Sequence, residues 1–360
     1  MSLLVRPVEP GDYRAIHALC SHPEVAPHLG TSPFDPPDFW RSRLADPDPD
    51  HVHHLSAWQG SKLAGSVRLE VSPRPRCHHV GELSIAVDPA FQGRGIGSRL
   101  LGAIVDAADR WLNVVRLELN VHADNHRALR LYERHGFQIE VRRRMDMSRD
   151  GVPVDGLTMA RLRPGFTPGP VPPPPTWPAP RARTGVVVIR PVAPDDAPAL
   201  AHIHRDESVM WGTLQLPTLS VEAWRRRLAA NDSSHCLLLL LEVDGRPAGA
   251  GGIHGFANPR LRHIVHLGMG IASEFQGMGL GGELLAALLA GATGDPSLRR
   301  GPRLTRTDFA ARRIELEVYL DNVRAARLYE RAGFVEEGVR RAAVFRDGAY
   351  VDTRVMALLR

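Results

Sequence analysis

Residues 91–101 read Phe91-Gln92-Gly93-Arg94-Gly95-Ile96-Gly97-Ser98-Arg99-Leu100-Leu101. Residues 275–285 read Phe275-Gln276-Gly277-Met278-Gly279-Leu280-Gly281-Gly282-Glu283-Leu284-Leu285. Each string follows a strand-like apolar run, 83–87 or 267–271, and opens a helix-like one. A glycine-rich turn entering a helix N-terminus offers backbone N–H groups and the positive end of the helix dipole, which suits phosphate. Gln92, Gly93, Arg94, Gly95, Ile96, Gly97 and Ser98 are therefore candidate phosphate contacts. Gln276, Gly277, Met278, Gly279, Leu280, Gly281 and Gly282 are the same set in the second string. The glycines matter because a Cβ would keep an anion away from the backbone.

Working outward, a shift of 184 aligns the two halves without gaps for about 90 residues: Arg6-Pro7-Val8 meets Arg190-Pro191-Val192, Trp40 meets Trp224 and Gly65 meets Gly249. After the glycine-led helix the shift becomes 197, and Glu118 meets Glu315, Asn125 meets Asn322, Tyr132 meets Tyr329 and Asp150-Gly151 meets Asp347-Gly348. The 13 extra residues of the second half fall around 294–307, a Gly, Pro and Arg-rich stretch that reads as a loop. The period is too long for a solenoid and describes a duplicated domain. Between the copies, residues 163–184 carry four consecutive prolines at 172–175. Such a segment favours extended polyproline geometry and reads as a semi-rigid spacer; a docking ligand for another protein is the alternative. The expected domains are 1–163 and 185–360, with 164–184 as linker.

Each copy reads strand, helices, strands, glycine turn, helix, strand, helix, strand. Helices are expected over 12–19, 37–44, 196–203 and 221–228, and hairpin turns at Gln59-Gly60 and Asp244-Gly245. Leu100, Leu101, Ile104, Val105 and Ala108 share one helix face, as do Leu284, Leu285, Leu288 and Leu289. Asn125 and Asn322 stand where helix N-caps belong. Tyr132 falls at i+4 from Ala128, on the inward face, and Gly136-Phe137 is a helix stop.

Composition excludes several classes. The chain has 360 residues, 43% hydrophobic and 24% charged, as in globular protein. No apolar run reaches membrane-span length, and residues 1–10 lack the pattern of a secretory signal. Cys20, Cys77 and Cys236 are scattered, which fits a cytoplasmic location and neither a disulfide framework nor a zinc ribbon. The net charge is +5, with Lys62 the only lysine, and acids are interspersed without a basic arm, so no nucleic-acid partner is expected. His51-x-His53-His54 lacks a ligand set at zinc spacing, and no metal is expected.

Gln-x-x-Gly-x-Gly after a strand, followed by Asp-Asn-x-x-Ala-x-x-Leu-Tyr-Glu-Arg-x-Gly-Phe, resembles the GCN5-related N-acetyltransferase (GNAT) superfamily. The likeness covers both halves, about 320 residues. A narrower likeness is to bacterial L-amino acid N-acetyltransferases. It rests on Val188-Ile189-Arg190-Pro191, Leu216-Pro217, Trp224-x-x-x-Leu228, Arg262-His263-Ile264 and residues 345–352, Phe-Arg-Asp-Gly-Ala-Tyr-Val-Asp. The resemblance implies two α/β (α+β) domains, each a mixed, mostly antiparallel twisted sheet flanked by helices, with a splayed strand pair at the cofactor site. It implies acetyl-CoA as cofactor and transfer of acetyl to a small primary amine such as an amino acid. A protein N-terminus, an antibiotic amine, or a regulatory acyl-CoA binder with one inactive copy are the alternatives. The two domains are expected to pack as a pseudo-dimer.

The resemblance also implies roles. In the family the acyl arm inserts between the splayed strands, so a backbone N–H near Ile85, Ala86 and Val87, or Met269, Gly270 and Ile271, faces the carbonyl. Tyr132 and Tyr329 match the tyrosine that protonates the thiolate; otherwise they are core. Asn125 and Asn322 match a cofactor-side asparagine; otherwise they are only caps. Glu317 matches a catalytic glutamate of some members, where copy one has Asn120, which cannot take a proton. Glu82, whose copy-two partner is His266, is the alternative base. Glu118 and Glu315 alternate onto the same strand face and are reserve candidates.

Overall fold

The computed structural model describes residues 2–31, 34–46, 48–182, 185–231, 235–294 and 309–360. Most of the extra stretch at 294–307, and linker residues 183–184, lie outside the described residues. The chain forms two units, one of Met1–Pro170 with Arg340–Val351, the other of Val171–Val339 with Asp352–Arg360.

The first unit runs β1 (Leu3–Pro7), α1 (Tyr13–Cys20), α2 (Pro37–Ala45), β2 (Val52–Gln59), β3 (Lys62–Val71), β4 (Val80–Val87), α3 (Ile96–Arg110), β5 (Arg116–His122), α4 (His126–Arg134), β6 (Gln138–Arg149) and β7 (Val152–Leu162). Its strands lie in the order β1-β2-β3-β4-β5-β7-β6. Every neighbouring pair is antiparallel except β4 with β5. The β2–β3 turn contains Gly60 at φ +62°, as its Gln-Gly sequence predicts. The leucine face of α3 packs on β3 and β4, where Leu100, Leu101 and Ile104 are buried beside Val67, Leu69 and Leu83.

The second unit repeats the plan. It runs β8 (Val187–Pro191), α5 (Ala197–Arg205), α6 (Glu207–Gly212), α7 (Val221–Ala229), β9 (Cys236–Val243), β10 (Arg246–Gly255), β11 (Ile264–Ile271), α8 (Leu280–Thr293), β12 (Arg313–Tyr319) and α9 (Val323–Arg331); β13 (Val335–Arg346) and β14 (Ala349–Leu359) follow. The order β8-β9-β10-β11-β12 is antiparallel up to β11, then parallel to β12, and residues 353–359 of β14 return antiparallel to β12. Asp244 and Gly245 take φ +49° and +74°, consecutive left-handed residues that suit a tight hairpin. The helix α6 is not legible as a period. It forms because the Asp206 carboxylate accepts from the N–H groups of Ser208 and Val209, capping a six-residue turn.

The fold class expected from the sequence is therefore present in both units. Its defining break is the parallel pair. β4 pairs β5 only at Val80↔Arg116, Gly81↔Leu117 and Glu82↔Glu118. β11 pairs β12 only at Ile264↔Arg313, Val265↔Ile314 and His266↔Glu315. Beyond those positions the strands part while β4 and β11 stay bonded to β3 and β10 through Val87 and Ile271.

Buried charge pins the closed end of the break. Arg116, fully buried, donates to Glu118 Oε2 at 2.9 Å and Glu140 Oε2 at 2.7 Å. The segment Arg340–Val351 completes this cluster in the first unit. Arg340 reaches Glu118 at 2.7 Å, Arg341 reaches Glu140 at 2.5 Å, and His79 Nε2 lies 2.9 Å from the Ala342 carbonyl oxygen. In the second unit Arg313, also fully buried, holds Glu315 at 2.7 Å and Glu337 at 2.6 Å. Burial by itself would raise the Glu118 carboxyl; Arg340 and Arg116 overcome it and hold the group at about 2.

Removing one partner of such a cluster leaves an uncompensated buried charge. Arg340→Ala should destabilise the protein by about 3 kcal/mol at neutral pH. Glu118 unfolds to an ordinary carboxylate near about 4.3. The stabilisation from its depressed value is therefore complete above that pH and is lost as pH falls toward about 2. Urea melts at stepped pH should show the deficit of the variant shrinking below about pH 4; a deficit constant with pH would rule out the charge pair as its source.

Candidate active site

Both glycine turns are left-handed in backbone. Gly93 and Gly95 stand at φ +80° and +78°, Gly277 and Gly279 at +83° and +80°. Gly95 and Gly279 are the N-caps of α3 and α8, and neither supplies a capping side chain. The first N–H groups of each helix have no partner within the helix, so they are presented outward. Gly282 differs, because its N–H is bonded to the Gly279 carbonyl at 3.0 Å. Among the described residues no heavy atom lies within 4 Å of a Cβ built on Gly95 or Gly279, so the turn is a cradle that any side chain would begin to fill.

Gln92 and Gln276 fix each turn to the strand below. Gln92 Nε2 donates to the Val87 carbonyl at 3.0 Å, and Gln276 Nε2 donates to the Ile271 carbonyl at 2.8 Å. Their amide oxygens accept from Arg127 and Arg324. Neither arginine is among the sequence-predicted site residues. Their signal was the shared Asn-x-Arg-Ala at 125–128 and 322–325. The result is that each turn sits directly above the end of β4 or β11, where the strands have parted.

On a strand bonded along one edge, alternate residues turn N–H and C=O to the other edge. For residues 83–87 and 267–271 that other edge is the gap. Ile85, Ala86, Val87, Met269, Gly270 and Ile271 all lie there. Gly270 is needed as glycine: a Cβ would come within 2.8 Å of Val209 on α6.

Tyr132 and Tyr329 are buried on the inward faces of α4 and α9, against Phe137 and Phe334 at ring separations of 6.0 and 5.8 Å. Burial raises both phenols, Tyr329 to about 12 and Tyr132 further, so both hydroxyls keep their protons through the neutral range. Asn125 and Asn322 are caps, each Oδ1 accepting from an N–H three residues on at 3.1 Å.

The carboxylates separate into two kinds. Glu118 and Glu315 are bound up in the arginine clusters. Glu82 occupies the last paired position before the gap, and its carboxyl is raised, first by the surrounding protein and then by Glu118 and Glu70. Its nearest polar partner is Asn120 Nδ2 at 3.4 Å. Glu317, exposed on β12, accepts from the Thr353 hydroxyl. His266 takes the place of Glu82 in the second unit, and its Nε2 lies 2.7 Å from Glu315 Oε1. Among the described residues no group of three or more His, Cys, Asp or Glu could hold a metal, and no helix is long and apolar enough to cross a membrane.

Known proteins resemble both halves of the chain. Residues 15–137 match the model of the Acetyltransferase (GNAT) family, and residues 187–335 that of the Acetyltransferase (GNAT) domain. The chain is 34% identical over 161 residues to the L-amino acid N-acetyltransferase AaaT of Escherichia coli, covering 45% of this chain and 98% of that protein. It is 39% identical over 132 residues to the N-alpha-acetyltransferase RimI of Mycobacterium tuberculosis, covering 36% of this chain and 78% of that one. The solved spermidine N-acetyltransferase of Vibrio cholerae, in complex with CoA and spermine, is 26% identical with a TM-score of 0.41, over 45% of this chain and 95% of that one.

The raised phenols give a direct measurement. Tyr132→Phe and Tyr329→Phe should leave the tyrosinate absorbance gained between about pH 9 and 11 unchanged while the protein stays folded, since neither hydroxyl ionises there. Loss of a titrating tyrosine in either variant would contradict the burial that protects them.

Proposed function

The chain belongs to the acetyltransferase (GNAT) family, in two tandem copies, and is an acyltransferase; from that premise we propose that it transfers acetyl from acetyl-CoA to the primary amine of an amino acid. The observation that carries the reading is the strand pair that parts after three residue pairs beneath a left-handed glycine turn, in both units. The choice of an amino acid is supported by the likeness to AaaT, nearly all of which the chain spans.

When bound, acetyl-CoA supplies an acetyl thioester. The chain's own residues do the rest. N–H groups of 92–98 and 276–282 hold the pyrophosphate at a helix N-terminus. N–H groups among Ile85–Val87 and Met269–Ile271 hold the acyl carbonyl oxygen. Tyr132 and Tyr329 keep a proton at the hydroxyl for the departing sulfur. Glu82 in the first copy takes the proton of the attacking amine; in the second, Glu317 or His266 does. Asn125 and Asn322 fix the helices that carry the tyrosines. The copies spanned by 1–163 and 185–360 each hold one such site, joined by 164–184.

Release of free CoA over a panel of amines tests the acceptor. The panel should contain amino acids, a peptide with a free N-terminus, and spermidine; faster turnover of the last two would overturn the amino-acid reading. The double variant Tyr132→Phe with Tyr329→Phe should lose on the order of 100-fold in kcat with little change in acetyl-CoA affinity. Full activity would remove the tyrosines from the mechanism.

A base works only when deprotonated. Because the Glu82 carboxyl is raised, activity of the first copy should fall with pH while ordinary carboxylates are still ionised. In a Tyr329→Phe background, Glu82→Gln should abolish that acidic limb together with most of the rate; an unchanged pH profile would exclude Glu82.

A further inference from the structure

The two phosphate turns have nearly the same sequence and backbone but different surroundings. Among the described residues the only atom within 4 Å of a Cβ on Gly93 is Arg127 Nη2, at 3.9 Å. The equivalent Cβ on Gly277 would lie 2.5 Å from the Ala179 carbonyl oxygen, in the proline-rich linker. The linker is bonded there. The Arg181 N–H donates to the Gly277 carbonyl at 3.0 Å, Arg181 Nε donates to the Gln276 carbonyl at 3.2 Å, and Arg181 Nη2 donates to the Glu274 carbonyl.

Four residues before Arg181, Trp177 is half-buried in an aromatic cleft. Its ring meets Trp211 of α6 edge-on at 5.3 Å and lies 5.8 Å from the Arg324 guanidinium, which itself bonds Gln276 of the turn. Trp211 in turn meets Tyr319, whose hydroxyl donates to the Thr213 carbonyl. This cleft belongs to the second copy alone. By the repeat, Trp211 and Tyr319 correspond to Pro27 and His122, and there the His122 ring Nε2 lies 3.0 Å from the Pro27 carbonyl.

We propose that linker residues 177–181 are a built-in occupant of the second phosphate turn, which acetyl-CoA must displace to bind there, so the second site takes the cofactor more weakly than the first. The inference rests on the reading of the glycine turns as CoA sites. Proline-rich backbone suits the task, because an extended segment loses little entropy on docking. An internal competitor lowers apparent affinity by the fraction of molecules in which the site is open. The segment runs from the aromatic cleft beside α6 and the start of α9, past Gly277, to the carbonyls of Glu274, Gln276 and Gly277 in the turn itself.

CoA binding to the full chain, followed by calorimetry, tests this. Gly95→Val leaves the second turn as the main site, and Gly279→Val leaves the first. In the Gly95→Val background, adding Trp177→Ala and Arg181→Ala should tighten CoA binding about tenfold. In the Gly279→Val background the same pair should change nothing. In the wild type, saturating CoA should speed trypsin cleavage after Arg181, identified by mass. Unchanged or weaker binding on removing the linker contacts overturns the proposal, since the linker would then be inert or a wall of the site. Tightening in both backgrounds overturns it as well. Absence of CoA binding to the wild type overturns the cofactor reading, and the competitor with it; intact CoA binding with a failed linker effect overturns the competitor alone.

Discussion

Backbone polar groups inside a sheet must be paired, and a parallel ladder that stops after three residue pairs leaves a row of them facing a gap. Everything else at the site depends on that stop. The gap is open on one edge because β4 and β11 remain bonded to β3 and β10 on the other. The glycine turns then close over its upper end, tied down by Gln92 and Gln276 to the last strand residue. In the proposed reading, the pantetheine arm of acetyl-CoA meets strand-like hydrogen bonding and its pyrophosphate meets a helix N-terminus.

Holding two strands together at one end and apart at the other needs a clamp. Arg116 and Arg313 supply it at the paired end. Each is buried with two carboxylates, a costly choice against apolar packing, yet one that fixes register because only one alignment satisfies all the charges. In the first unit the clamp draws on Arg340 and Arg341, far along the chain. The second copy uses the same geometry differently. There Glu315 meets Arg313 with one oxygen and His266 with the other, so the clamp extends to the position that Glu82 holds in the first.

Duplication preserved what the backbone requires and changed what side chains do. The turns, caps and core tyrosines agree between copies. Other positions do not: Glu82 stands against His266, Asn120 against Glu317, Pro27 against Trp211 and His122 against Tyr319. His122, Trp211 and Tyr319 are buried and His266 is paired with Glu315, so each copy has built its own contacts around these positions.

The sequence by itself determined the repeat, the glycine turns, the helix caps and the inward tyrosines; it read one strand after α4 and after α9 where the structure has two. Those features rest on local physics: positive φ at Gly95 and Gly279, amide capping by Asn125 and Asn322, and a helical period that places Tyr132 and Tyr329 against the core. Strand alternation put Glu118 on the face of Asn120, but it did not separate a clamped carboxylate from a poised one. That distinction came from Arg340, more than two hundred residues away. The capping of α6 by Asp206, the pairing of His266 with Glu315 and the seat of Trp177 on the second turn were likewise decided only by tertiary structure. Each depends on which segments meet after the strands have chosen their neighbours, and no spacing along the chain encodes that choice.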